Sequence, residues 1–261
     1  NLNELDEKTV NLNYSISKVK KISLAPIFTT DSGKEKIGNT VNNLELSNEE
    51  VMQSMSGLVS WWKFDNVVGA SIYDEMGRNN GTIQGTVNCS VQGRFGKACN
   101  FDGIDWSHYI KINTNNGLDL TDKITMIFWT KLNTVDSGRI FISKSYPSLG
   151  LGDTGGPTRP FFIVGGNSNP PVGVKYAYID PSVSTSPNNW YYMAGSYNGS
   201  IIKIYVNESI STSPYSGVIY NNAANFYEIG RHINATIDEV MIFNRALSDS
   251  EIREIYAMDL S

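Results

Sequence analysis

Apolar residues recur at every second position in several short segments of this chain, and a period of two is typical of half-buried β-strands. The strictest alternation lies near the beginning, where single polar residues separate four apolar side chains: Val10, Leu12, Tyr14 and Ile16. Two further apolar runs, 190–197 and 201–206, flank the dipeptide Asn198-Gly199. Because Asn-Gly favours a two-residue turn, these runs predict a β-hairpin.

Most of the remaining chain consists of short apolar runs separated by turn-forming residues. The run 58–64 predicts an opening strand, 124–132 a strand that is buried on both faces, and 237–243 a closing strand. Ser248 and Glu251, three positions apart, then predict the beginning of a short helix. This succession of strands favours an all-β fold, an antiparallel β-sandwich of the jelly-roll type.

Aromatic residues are scarce before Gly57 and frequent after it, which divides the chain in two. We interpret residues 1–56 as an N-terminal arm, with an extended strand at about 9–24, a loop, and a short helix at about 48–56. Residues 57–261 are the sandwich domain. An isolated strand is not stable in water, so the arm must dock on a sheet edge. That edge belongs either to the same chain or to a neighbouring subunit, as in donor-strand assembly.

Charge and hydropathy exclude two classes of partner. The chain has 21 basic and 26 acidic residues, a net charge of -5. It has no basic cluster longer than Lys20-Lys21, so we expect no nucleic-acid binding. It also has no run of eighteen uncharged apolar residues, so we expect no membrane span in this chain.

Two covalent features point to a secreted or cell-surface protein. Asn-x-Ser/Thr sequons predict N-glycosylation at six positions: Asn13, Asn80, Asn88, Asn198, Asn207 and Asn234. The only cysteines, Cys89 and Cys99, are ten positions apart, with Gly93 and Gly96 between them. We expect a disulfide across a hairpin, the alternative being two buried free thiols. Glycosylation and a disulfide are both typical of an oxidising, extracellular setting.

Four segments of the sandwich domain carry more specific motifs. They are, in order, GLVSWWKFD at 57–65, YDEMGRNNGT at 73–82, GRFGKACNFDG at 93–103 and IDEVMIFNRALS at 237–248. In content and order they resemble the laminin-G-like jelly-roll domains of the concanavalin-A-like lectin/glucanase superfamily. The resemblance covers 57–261 and does not reach the arm. The chain departs from the family pattern at 104–109, where a residue or two is inserted before the next strand.

The resemblance implies a calcium site, because some members bind Ca²⁺ through aspartates of the opening strand, the following turn and the closing strand. In this chain those positions are Asp65, Asp74 and Asp238, and calcium is the only cofactor that we expect. Hard cations prefer several oxygen ligands of this kind. The alternative is that Asp74 caps its own turn and that Asp238 accepts backbone hydrogen bonds.

The pattern of acids and bases does not indicate catalysis. Glycosidases with this type of sandwich place paired carboxylates at alternating positions of one strand, and no strand here has that pattern. Asp238 and Glu239 are adjacent, so a regular strand would direct them to opposite faces. His108 and His232 lack the spacing of metal ligands, and we interpret both as ordinary surface or loop residues. We therefore predict a non-catalytic protein.

Sugar recognition needs an exposed aromatic side chain with polar neighbours. Four of the five tryptophans lie in apolar strand segments and are expected in the core: Trp61, Trp62, Trp129 and Trp190. Trp106 instead lies between Asp105 and Ser107, in a segment that has the composition of a loop. We therefore predict Trp106 as a glycan contact, together with Tyr109.

These observations support two hypotheses of function. The first is a non-catalytic structural or adhesive subunit at the cell surface. Its arm would dock on a copy of itself or on another surface protein, in a filament-like assembly, and its sandwich would face outward. The second is a calcium-assisted, lectin-like carbohydrate-binding module of a larger secreted protein. We favour the first, because the strand alternation in the arm is the most specific single pattern.

Overall fold

Two antiparallel β-sheets form the described part of the protein. The computed structural model describes residues 54–114, 117–134, 139–144, 149–153, 159–165, 175–180, 183, 185–219 and 226–260. The predicted β-sandwich is thereby confirmed. The strand predicted for the arm, with Val10, Leu12, Tyr14 and Ile16, lies outside the described residues, so its docking stays a prediction.

Seventeen strands and one helix are described, most of them short. In chain order they are β1 (Leu58–Trp62), β2 (Val67–Val68), β3 (Ser71–Ile72), β4 (Gly81–Gln84), β5 (Asn88–Gln92), β6 (Lys97–Asp102), β7 (Tyr109–Asn113), β8 (Ile124–Leu132), β9 (Arg139–Lys144), β10 (Leu149–Asp153), β11 (Pro160–Val164), β12 (Lys175–Tyr178), β13 (Trp190–Tyr197), β14 (Ile201–Val206), β15 (Ser209–Pro214), β16 (Phe226–Ile229), β17 (Asn234–Phe243) and α1 (Asp249–Ala257).

The strands of the two sheets are extensively interleaved along the chain. In the first sheet the order is β15-β14-β13-β8-β17-β6-β5, and β1 also pairs with β17. In the second sheet the order is β12-β11-β10-β9-β16-β7-β4-β3-β2. Consecutive strands β6 and β7 lie in different sheets, and so do β16 and β17. The segments that join these two pairs therefore cross the end of the sandwich, where they can meet.

Both faces of strand β8 are apolar because each one packs in a different apolar cluster. Met126 and Phe128 face the second sheet in the main core, whereas Ile127 and Trp129 belong to a smaller cluster on the outer face. Helix α1 covers that outer face, and its side chain Ile252 packs into the same cluster. The run 124–132 thus alternates between two cores, as expected for a strand covered on both sides.

Helix α1 begins as the sequence predicts. The Ser248 side chain accepts a hydrogen bond from the Glu251 N–H, and the Glu251 carboxylate accepts one from the Ser248 N–H. This reciprocal pair satisfies two backbone donors that a helix N-terminus leaves without partners. Within the described residues, no helix combines the length and apolar character that spanning a bilayer would require.

Strand β17 has an irregularity that matters for its acidic residues. Along one edge it pairs with β8, with a register shift between Asp238 and Met241. Its other edge is divided, because 234–237 pair with β6 and 240–243 pair with β1. The two residues between these segments, Asp238 and Glu239, therefore lie at a bulge, where Glu239 has a φ of 51°.

Candidate functional site

The loop that joins β6 to β7 presents two strongly exposed apolar side chains, one of them the most exposed large apolar side chain among the described residues. Ile104 is 80% exposed and Trp106 is 62% exposed. The loop leaves β6 at Gly103, whose φ of 70° is readily adopted by glycine. The Asp105 carboxylate accepts a hydrogen bond from the Ser107 N–H at 2.8 Å, so the peptide around Trp106 forms a closed Asx turn.

Trp106 is exposed but held in place. One face of its indole is stacked on the His232 ring, with centroids 4.2 Å apart and planes 6° from parallel. Its backbone carbonyl accepts a hydrogen bond from Arg231 Nε at 3.1 Å. The residue remains 62% exposed, so the prediction of an exposed Trp106 is confirmed. We call the ring face turned away from His232 its open face.

The residues that hold Trp106 come from the tight turn between β16 and β17. Gly230 and His232 both have positive φ, 80° and 56°. A Cβ on Gly230 would lie 2.2 Å from the Phe101 ring, so glycine is required there on two grounds. This turn crosses the end of the sandwich beside the β6–β7 loop, which brings Arg231 and His232 to Trp106.

A surface cleft of about 450 Å³ opens beside the Trp106 ring; we call it the aromatic cleft. Seven residues line it: Gln84, Gly85, Asp105, Trp106, Ser107, Tyr109 and Arg231. The Arg231 guanidinium carbon lies 5.8 Å from the centre of the Trp106 ring and 5.4 Å from that of Tyr109. Both predicted glycan contacts, Trp106 and Tyr109, therefore lie in one cleft, each within 6 Å of the same cation.

Two aspartates fix the shape and the charge of the cleft loop. The Ser107 N–H holds the pKa of the Asp105 carboxyl below its usual range, so this side chain stays ionised near neutral pH. Burial raises the pKa of Asp102, but hydrogen bonds from the Ile104 N–H and from His108 outweigh it and lower that pKa overall. His108 is thus a partner of Asp102, in agreement with its interpretation as an ordinary loop residue.

The three aspartates predicted to bind calcium each accept hydrogen bonds from the protein. Asp74 accepts from four backbone N–H groups: those of Trp61, Met76, Arg78 and Asn79. Asp65 accepts from the Lys97 N–H and Asp238 from the Phe95 N–H. Asp65 and Asp238 thus hold the turn between β5 and β6. Within the described ranges no group of three or more acidic, histidine or cysteine side chains is placed to hold a metal, and calcium binding stays a prediction.

The expectation that Asp238 and Glu239 point to opposite faces is wrong. Asp238 reaches the Phe95 N–H, and Glu239 accepts a hydrogen bond from Trp61 Nε1, so both carboxylates lie on the side of the sheet where Phe95 and Trp61 pack. The bulge is the reason, because an extra residue shifts the alternation by one. Both side chains are fully buried, and the Glu239 Oε1 atom has no hydrogen-bond partner among the residues that the structure describes.

Comparison with known families agrees with the motifs and the fold. A laminin-G-type family model, described as the concanavalin A-like lectin/glucanases superfamily, matches residues 102–253, more than half of the chain. The chain belongs to this superfamily. No curated protein matches it significantly.

Solved structures of this superfamily's fold resemble the protein at low identity. Domain 4 of AbnA, a GH43 extracellular arabinanase from Geobacillus stearothermophilus in complex with arabinotriose, has a TM-score of 0.59 and 20% identity, covering 77% of this chain and 98% of that domain. The binding domain of Paraclostridial Mosquitocidal Protein 1 has a TM-score of 0.62 and 16% identity, and the match covers 78% of this chain and 52% of that one. The Botulinum neurotoxin serotype D ligand binding domain in complex with N-acetylneuraminic acid has a TM-score of 0.61 and 16% identity, and the match covers 79% of this chain and 52% of that one. The chain therefore spans about half of each toxin domain, and these likenesses establish the fold alone.

The covalent predictions for this superfamily member have different outcomes. The Cys89–Cys99 disulfide is confirmed, and it links β5 to β6. Three sequon asparagines are exposed: Asn80, Asn88 and Asn198. Asn207 and Asn234 are half-buried, and their side-chain oxygens accept hydrogen bonds from the Tyr192 N–H and from Asn133. Asn13 lies outside the described residues, and glycosylation of all six stays a prediction.

Sequence reasoning found Trp106 and Tyr109 but missed other members of the site. Arg231 and Gln84 were not singled out, and His232 was interpreted as an ordinary residue although its ring supports Trp106. The available signal was the segment Gly230-Arg231-His232, a turn with a cation and an aromatic ring between two apolar runs.

Proposed function

We propose that this protein is a non-catalytic carbohydrate-binding module and that its ligand lies in the aromatic cleft, on the open face of Trp106. The observation that carries the proposal is a tryptophan that is 62% exposed and yet held by a ring stack and a hydrogen bond. Exposing so large an apolar surface is unfavourable in water. A rigid, exposed ring loses little conformational entropy on binding, and sugars present apolar C–H faces to such rings.

The fold supports a binding role. An arabinanase domain of similar fold was solved with arabinotriose, and Botulinum neurotoxin binding domains of similar fold were solved with SialylT and with N-acetylneuraminic acid. Fold alone does not specify function, so the cleft carries the assignment and the fold is consistent with it.

The placement of the acidic residues supports a module without catalysis. A glycosidase needs two carboxylates that reach opposite sides of one glycosidic bond. Among the described strands, the adjacent pair Asp238 and Glu239 is fully buried beneath Trp61 and Phe95. These carboxylates have no access to a sugar, whereas the exposed Asp105 lies in the cleft as a single acid.

Replacing Trp106 with alanine tests the proposal. Loss of the ring is expected to weaken glycan binding at least tenfold, since stacking of a ligand on an aromatic side chain contributes on the order of 1–3 kcal/mol. Binding is measured by calorimetry on the glycan that scores highest in an array of neutral and acidic oligosaccharides. The melting temperature should change little, because the side chain is mostly exposed.

Ile104→Ala is the matched control. Ile104 is in the same loop and is still more exposed, but it does not line the cleft. Its replacement should leave affinity unchanged. Equal losses for the two variants, or an array without any binding, would contradict a ligand site at Trp106.

We also propose that the protein acts outside the cell, either secreted or displayed on a surface. The disulfide between Cys89 and Cys99 supports this, because such bonds persist in oxidising compartments.

Assembly through the arm is a separate proposal, carried by the alternation at 10–16. Deleting residues 1–24 should convert an oligomer of the full chain into a folded monomer, measured by light scattering and circular dichroism. An unchanged mass, or an unfolded domain, would contradict it.

A further inference from the structure

The aromatic cleft has little uncompensated positive charge to offer an anionic ligand. Among the described residues, two carboxylate or guanidinium side chains line it, Asp105 and Arg231, and they have opposite signs. Arg231 is also committed to an ion pair, because one of its terminal nitrogens donates to Glu228. The positive charge beside the two aromatic rings is therefore already compensated within the protein, while the exposed Asp105 lines the cleft.

The polar groups of the cleft match hydroxyl groups. Within the described residues, the Tyr109 hydroxyl and the second terminal nitrogen of Arg231 have no hydrogen-bond partner. The Gln84 amide donates to two backbone carbonyls, which leaves its oxygen as an acceptor. The cleft thus offers donors and acceptors around an aromatic face. A sugar hydroxyl both donates and accepts, so it can use both kinds of group, whereas a carboxylate only accepts.

From these two observations we infer that the cleft takes a neutral oligosaccharide and discriminates against sugars that carry a carboxylate. The inference rests on the proposed function and names the class of ligand for that site. The carboxylate of an acidic sugar would be repelled by Asp105, and Arg231 is already paired with Glu228. The cost of desolvating that carboxylate would therefore not be offset. A neutral sugar can stack on Trp106 and donate a charge-assisted hydrogen bond to Asp105.

The test is a direct comparison of two sets of probes on the full chain. The neutral set is arabinotriose and xylotriose, and the acidic set is 3′-sialyllactose and trigalacturonate. We expect the best neutral probe to bind at least tenfold more tightly than the best acidic one. Its affinity should also be nearly independent of salt, since no net charge is neutralised. Tighter binding of an acidic probe would overturn the inference and leave the proposed function intact. Binding of neither set would overturn the proposed function itself.

Asp105→Asn isolates the residue responsible. An asparagine oxygen can still accept from the Ser107 N–H, so the loop turn is retained. Affinity for the neutral probe should fall about tenfold, the loss of one charge-assisted hydrogen bond, and the preference over acidic probes should narrow. Glu208→Gln removes the same charge from the β14–β15 turn and should change neither quantity. Equal behaviour of the two variants would show that Asp105 does not select the ligand.

Discussion

Replacing Gly230 with alanine is expected to destabilise the protein by about 2–5 kcal/mol, the sum of a left-handed backbone penalty and overpacking of a core. Gly230 has a φ of 80°, and a Cβ there would lie 2.2 Å from the ring of Phe101, which is fully buried in the main core. The ring cannot retreat without disturbing its neighbours, because protein interiors are close-packed. Urea unfolding measures the loss.

Gly199→Ala is a matched control for the packing part of this effect. Gly199 also has a positive φ, 94°, but the nearest atom to its added Cβ is the Asp122 carbonyl oxygen at 3.8 Å. Gly199→Ala should therefore lower the free energy of unfolding by the left-handed backbone penalty alone, about 1–2 kcal/mol. Equal losses at the two positions would contradict the close packing of this turn on Phe101. Because Gly230 precedes Arg231 and His232, its replacement should also weaken glycan binding, whereas Gly199→Ala should not.

In calcium-free solution the protein is expected to be less stable at pH 8 than at pH 5. Burial raises the pKa of Asp238 to about 8 and raises the pKa of Glu239 as well; repulsion from Asp65 adds to the rise at Asp238, and repulsion from Asp238 adds to the rise at Glu239. In the unfolded chain both carboxyls ionise near pH 4. Between these limits the folded state holds protons that the unfolded state has released, so stability falls as pH rises from about 4 to about 8.

The effect should be large, with an upper bound on the order of 5 kcal/mol for four pKa units at one site. Below pH 4 the trend reverses, because hydrogen bonds outweigh burial and lower the pKa of Glu251 to about 2, and the stability that this group contributes is lost as pH falls towards that value. Maximum stability is therefore expected near pH 4–5. Thermal melts from pH 3 to pH 9 in the presence of a chelator measure it.

Glu239→Gln should flatten the alkaline side of this profile. The glutamine oxygen can accept the Trp61 Nε1 hydrogen bond, and the variant has one buried charge fewer beside Asp238. It should be more stable than the original protein at pH 8 and similar at pH 4.5, whereas Glu208→Gln at the surface should change neither. A melting temperature that rises from pH 5 to pH 8 would contradict this account.

Repeating the pH 8 melt with Ca²⁺ also tests the predicted calcium site at Asp65, Asp74 and Asp238. A higher melting temperature with Ca²⁺ would support that site, and an unchanged one would contradict it.

Local patterns predicted the parts of the fold that are determined locally. The hairpin of β13 and β14 and the strand β8 follow from apolar runs whose neighbours along the chain decide their conformation. The bulge at Asp238 could not be predicted in this way. It arises because one edge of β17 is shared between β1 and β6, which are distant in sequence from it and from each other.

The candidate site was partly predictable for the same reason. Trp106 was recognisable from its polar neighbours alone, since a tryptophan between Asp105 and Ser107 is not in a core strand. Its supports, Arg231 and His232, lie more than 120 residues later. They reach Trp106 only because β6–β7 and β16–β17 both cross between the sheets at one end of the sandwich. That juxtaposition depends on the order of the strands, which no local pattern contains.

The central claim is that a neutral sugar binds on the open face of Trp106, and the indole N–H resonances test it most directly. The five tryptophans give five such signals in a ¹⁵N–¹H spectrum, of which Trp61, Trp62 and Trp129 are buried and Trp190 is half-buried. During titration with the best neutral oligosaccharide, the Trp106 signal should shift and saturate while the other four stay in place. A saturating shift of Trp190 with an unmoved Trp106, or five unmoved signals across the neutral panel, would contradict the account.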